Sequence, residues 1–138
     1  MNYTVSILTT RPDCQALIQI ANSEKDDLAY RKAGLLRQHQ STAATSAGIS
    51  NGLAAVDAEL AALQTVIDLV PPGPTYDETI VKFKKAEYKK FLLEQRKGNF
   101  GPIALVEKEF DVACIDHALA EADVFIASLT TRMGELPV

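Results

Sequence analysis

Tryptophan is absent, and cysteine occurs only twice, at Cys14 and Cys114, in a chain of 138 residues. Two thiols make no disulfide framework, which argues against a small secreted scaffold and leads us to expect a reducing, cytoplasmic setting. Histidine is equally scarce, with His39 and His117 alone, so there is little material for a metal centre. No uncharged apolar run reaches the roughly 18 residues that a membrane span needs. Met1 to Thr10 lack the basic start and small-residue cleavage site of a secretion signal, so neither spanning nor secretion is expected. A dominant sign of charge is missing too: 14 Lys and Arg stand against 18 Asp and Glu, for a net charge of -4 with no like-charged tail. That balance disfavours a general polyanion binder.

Strong breakers gather in only three places: Gly48 to Gly52, Pro71 to Pro74 and Gly98 to Pro102. They cut a chain that is 47% apolar and 23% charged into four segments with helical character. Thr10-Arg11-Pro12-Asp13 starts the first, because the Thr hydroxyl accepts an amide, Pro12 needs no donor in the first turn and Asp13 suits the positive end of the dipole. Ahead of it Tyr3, Val5 and Ile7 alternate with polar residues, but one short strand makes no sheet, so residues 1 to 10 read as an extended arm. The first helix is irregular. Lys25, Lys32 and His39 fall where a seam wants apolar groups, and Asn22 to Asp27 is polar on every side, with Ser23 and Asp26 as a second capping signal.

Leu53, Val56, Leu60, Leu63, Ile67 and Val70 follow at heptad steps, and Leu105, Val112, Leu119, Ile126 and Met133 alternate with Ile115, Ala122, Leu129 and Leu136, interrupted only by Lys108. Between these stripes Thr75 is expected to cap a helix with Asp77 and Glu78 in its first turn, Arg96 and Lys97 in its last, and Gly98 as its left-handed stop. Gly101 and Pro102 then begin the last segment. The expected fold is all-α, a single domain over 1 to 138 built as an antiparallel four-helix up-down bundle with two long and two short helices. Gly48-Ile49 as a Schellman stop and Ser50 as a fresh cap favour the reversal this requires. The alternative is a long antiparallel coiled-coil hairpin with one broken arm, because the seam runs in phase through Leu28, Leu35, Thr42, Ile49, Val56 and Leu63.

Nothing in the sequence carries a catalytic constellation. Glu107, Glu109, Asp111, Asp116, Glu121 and Asp123 fall outside the seam and read as a solvated face. The serine-rich stretch from 41 to 50 has no nucleophile elbow, and the glycines have neither P-loop nor dinucleotide spacing. Cys114, His117 and Glu121 share one helix face at metal-ligand spacing, but no second ligand pair completes a site, and Cys114 beside Ile115 reads as a small buried hydrophobe. No cofactor is expected.

The one electrostatic anomaly is the third helix. Lys82, Lys84, Lys85, Lys89, Lys90, Arg96 and Lys97 outnumber Asp77, Glu78, Glu87 and Glu94 by three, whereas from residue 99 on seven acids outnumber Lys108 and Arg132 by five. Attraction between these two helices is the plain explanation. Phe83, Tyr88 and Phe91 interleave with the lysines as on a nucleic-acid surface, but Tyr88 and Phe91 continue the stripe begun by Val81 and are expected in the core. These residues identify no known family. They point to a non-enzymatic helical interaction or scaffold protein that self-associates as a homodimer or binds a protein partner through its apolar seam, at positions such as Leu53, Leu60, Leu119, Ile126 and Leu129. Lys82, Lys85, Lys89 and Arg96 form a candidate interaction surface. The two alternatives are a nucleic-acid-associated protein using that basic helix, which the charge balance disfavours, and a metal-binding bundle.

Overall fold

The Thr10 signal opens a helix in the computed structural model, which describes residues 1–138. The Asp13 amide donates to Thr10 Oγ1 at 3.3 Å, and α1 runs unbroken over Arg11–Leu69. Its 59 residues take in the whole Gly48 to Gly52 segment. The chain therefore does not reverse there, and in place of four helices it has three, in the order of the alternative reading: one long helix, then two shorter ones.

Periodicity outweighs the stop signal for a physical reason. Cys14, Ala21, Leu28, Thr42, Ile49 and Val56 are all buried, every one in the same phase of a seven-residue repeat. A mid-helix glycine costs only about 1 kcal/mol, and no proline stands between Pro12 and Pro71 to enforce a break. Neither Gly48 nor Gly52 takes a positive φ. Gly52 serves packing instead, since a Cβ there would lie 3.3 Å from a Leu93 methyl.

At the end of α1 the Val70 amide donates to the Val66 carbonyl at 2.9 Å, and the proline-rich turn leads into α2, Pro74–Phe100. Here Gly73 stands at the N-cap and Pro74 in the first turn, so Thr75 lies inside the helix rather than capping it. Proline has its φ set for a first turn and no amide to satisfy, which gives it that place. Gly98 is not the stop either. The helix passes through it and ends at Gly101, whose ψ of -165° leaves the helical region. Pro102 drives this, because it donates no amide and crowds its predecessor out of α geometry. A Cβ on Gly101 would stand 2.2 Å from the Lys97 carbonyl oxygen, so this position requires glycine. Then α3 runs over Pro102–Glu135. No strand is present.

The chain packs as two compact units. In the first, Met1–Gln38 with Lys108–Val138, α1 and α3 are antiparallel: Lys25 pairs with Asp123 and Lys32 with Asp116, each at 2.5 Å, seven residues on along one helix and seven back along the other. The N-terminal arm is not extended. It makes a short 3-10 turn at Val5–Ile7 and is tied to α3, where the Tyr3 phenol donates to Glu121 and its ring meets Phe125 with centroids 4.7 Å apart. Arg132 donates to the Leu8 carbonyl at 3.0 Å and the Ser6 carbonyl at 3.3 Å, and Arg11 donates to the Leu136 carbonyl at 3.2 Å.

In the second unit, His39–Glu107, the rest of α1 lies against α2, with Val56, Ile49, Thr79 and Ala86 buried and Lys90 paired with Asp57 at 2.8 Å. The fully enclosed side chains of the whole chain are few: Leu129, Val56 and Cys14 are the largest. Leu53, Leu60, Leu119 and Ile126, expected at the seam, are half-buried.

Candidate interaction surfaces

On α2 the buried line through Thr79 and Ala86 sets the opposite side of the helix free. Lys82, Lys85, Lys89 and Arg96 are all exposed, along one flank between that side and the buried line. Tyr88 and Phe91, expected in the core, are exposed as well, at 63% and 53%, and their rings stack on each other with centroids 6.4 Å apart. The stripe begun by Val81 is thus an outer one, because α2 is covered on one side only. Lys90 is the lysine turned inward to α1, and its hydrogen bond to Asp57, reinforced by that carboxylate's charge, raises its pKa above the ordinary lysine value.

The acids of α3 do not pair with the lysines of α2. Asp116 and Asp123 take Lys32 and Lys25 of α1, so the two lysines that spoiled the seam lay their stems along it and place their ammonium groups on its edge. Glu121 accepts the Tyr3 phenol, and that hydrogen bond, with some burial and the carboxylate's charge, raises the Tyr3 pKa. Half of the supposed solvated face therefore ties this unit together.

Cys114 is exposed rather than buried, while Cys14 is buried, and His117 is exposed. No three His, Cys, Asp or Glu side chains converge on a position that could hold a metal ion, and Glu121 is engaged with the arm. An open groove of about 590 Å³ in the first unit is lined by Leu28, Arg31, Leu35, Asp111 and Cys114, among others. It holds no paired nucleophile and base.

A second apolar line on α3 escaped the reading of the sequence. Ile103, Val106, Phe110 and Val124 are exposed, and with Ala113 and Ala120 they recur at steps of three, four and seven, with exposed His117 standing on the same line between the alanines, offset from the buried line of Ile115 and Leu129. The signal was present as a second heptad phase in one segment, masked by the stronger seam. No helix of the chain is long and apolar enough to cross a membrane. No family model matches the chain, and neither a curated protein nor a solved structure matches it.

Proposed function

We infer that this chain is a non-enzymatic helical scaffold that self-associates, with a homodimer as its working form. The observation that carries the reading is uncovered apolar surface. Large apolar side chains are exposed on every helix, among them Tyr30 on α1, Phe91 on α2 and Phe110 on α3. Helices with apolar groups on two faces are stable when both are covered. The four-helix cross-section expected of one chain is then supplied by helix pairs from two. Free thiols at Cys14 and Cys114 fit a reducing, cytoplasmic setting. Sedimentation analysis tests the reading: a mass of two chains at tens of micromolar (the range of a moderate homodimer) is expected, and a strict monomer overturns it.

One observation favours a second reading, a nucleic-acid-associated protein: Lys82, Lys85, Lys89 and Arg96 form an exposed basic flank on α2 that borders the exposed ring of Tyr88. Phosphate contact predicts oligonucleotide binding that falls steeply with salt. A titration at low and physiological salt with no binding at either removes it.

A further inference from the structure

We propose that the outer face of α2 is a docking surface for an anionic lipid bilayer, on which the helix lies flat without crossing it. Three adjacent lines of exposed side chains build this face. Val81, Tyr88 and Leu92 form the middle line, at steps of seven and four. Lys84, Phe91 and Gln95, each three residues further on, border it on one side, because residues three and four apart are neighbours on a helix. Lys85, Lys89 and Arg96 border it on the other, with Lys82 beyond them. From Val81 to Arg96 this half of the helix carries five basic residues and no acid. The α2 lysine that pairs within the chain is Lys90, turned inward to Asp57, which leaves those five free. Glu87 and Glu94 stand three and four residues from Lys90, toward α1, and Asp77 and Glu78 precede the face by a turn.

An occupant of this face has to offer negative charge together with an apolar layer, and a bilayer with acidic headgroups offers both. Each basic side chain near such a surface strengthens adsorption by about fivefold, so five contribute on the order of a thousandfold. The apolar line enters the acyl boundary while the lysine and arginine stems reach back to the headgroups. Tyr88 suits that boundary, with an apolar ring and a polar hydroxyl. A nucleic acid matches the charge but not the rest. Val81 and Leu92 have no plane on which a base could stack, and the Tyr88 and Phe91 rings pack on each other, with centroids 6.4 Å apart and planes 24° from parallel. The same face of a second copy repels this one. The net charge of -4 does not oppose the contact, because charges more than about 8 Å away are largely screened at physiological ionic strength. Docking uses α2 alone and is independent of self-association.

The test is flotation of the full chain with vesicles of phosphatidylcholine alone and of phosphatidylcholine mixed with phosphatidylserine. Binding to the mixed vesicles that weakens as salt is raised is expected, with none to the neutral ones. Lys85→Gln with Lys89→Gln is expected to weaken it by on the order of twentyfold. Arg31→Gln with Arg37→Gln removes the same charge from exposed positions of α1 and is expected to leave binding unchanged. Val81→Ser with Leu92→Ser is expected to cost about tenfold or more, since aliphatic burial adds to adsorption on lipid but not to phosphate contact. The chain has no tryptophan, so Tyr88→Trp supplies a single reporter, whose emission is expected to shift to the blue on mixed vesicles as the ring leaves water. Every substituted side chain is exposed, and helicity and melting serve as controls for folding. No binding to mixed vesicles, binding reduced equally by the two charge pairs, or an unshifted Tyr88→Trp emission overturns the docking. Oligonucleotide binding that falls with Lys85→Gln and Lys89→Gln, together with vesicle binding indifferent to Val81→Ser and Leu92→Ser, overturns it too and assigns the face to nucleic acid.

Discussion

The two units solve the same problem, holding a pair of antiparallel helices together, by different means. The first uses polar ties between distant parts of the chain: two ion pairs along α1 and α3, and an N-terminal arm fastened by Tyr3, Arg11 and Arg132. The second has Gly52 under Leu93, Ala86 buried and a single α1–α2 ion pair, from Lys90 to Asp57. Exposed ion pairs contribute at most about 1 kcal/mol each, so the first unit's stability still rests on its few enclosed side chains. The comparison teaches that polar ties select the register, whereas apolar burial supplies the energy.

The largest effect is expected where burial is complete. Leu129 is 0% exposed, and Leu129→Ala is expected to cost about 2 to 5 kcal/mol in denaturant unfolding. Leu60, in the second unit, is half-buried, so Leu60→Ala is expected to cost less, on the order of 1 kcal/mol. Equal losses would erase the contrast between an enclosed and a half-covered seam.

Gly101→Ala comes next. The new Cβ meets the Lys97 carbonyl oxygen at 2.2 Å, a backbone atom that cannot swing aside, so the end of α2 has to shift. A loss above about 1 kcal/mol is expected, read as a lowered melting temperature. An unchanged one would show that the break between α2 and α3 tolerates a side chain.

Gly48→Ala is expected to act in the opposite direction. Nothing lies within 4 Å of a Cβ there, the residue is exposed within α1 and its φ is not positive. Replacing a helical glycine by alanine stabilises by about 0.5 to 1 kcal/mol, seen as a raised denaturation midpoint. A destabilised variant would place a turn at this position after all.

These glycines also mark how far the fold was legible. The helical class, the start at Thr10, the turn at Pro71 to Pro74 and the break before Pro102 follow from local chemistry, because proline acts on its neighbours whatever surrounds it. Gly48 and Gly98 were misread as stops because glycine permits a turn without enforcing one, and the decision passed to burial of Ile49 and Val56 on one side and to Pro102 on the other. The unbroken phase from Leu28 to Leu63 carried that information over a longer range. Tyr88 and Phe91 were misplaced for a related reason: periodicity shows that residues share a face of a helix, but only the packing tells which face is covered. The arm contacts of Tyr3 and Arg132, more than a hundred residues from their partners, left no mark that one segment could show.

The smallest effect sharpens the comparison through pH. In the first unit the neutral Tyr3 phenol donates to Glu121, and its pKa is raised above the ordinary 10.0, first by that hydrogen bond, then by burial and by the carboxylate's charge. A group whose pKa is raised on folding stabilises the fold fully below its unfolded value and loses that contribution as pH rises through the folded one. The arm is therefore expected to stay fastened through neutral pH and to loosen only above pH 10, when phenolate and carboxylate repel each other. Lys90 in the second unit has the same sign, since its raised pKa keeps the Asp57 pair intact until pH passes beyond the ordinary lysine value of 10.5. Tyrosinate absorbance separates the two, as it reports the phenols alone. The difference between the titrations of the unsubstituted chain and Tyr3→Phe is expected to show one tyrosine with a midpoint above 10, and Glu121→Gln is expected to lower that midpoint by removing the acceptor charge. A Tyr3 midpoint at or below the ordinary value, or one indifferent to Glu121→Gln, would remove the Tyr3–Glu121 tie and leave the arm fastened to α3 by the Arg132 hydrogen bonds to Leu8 and Ser6.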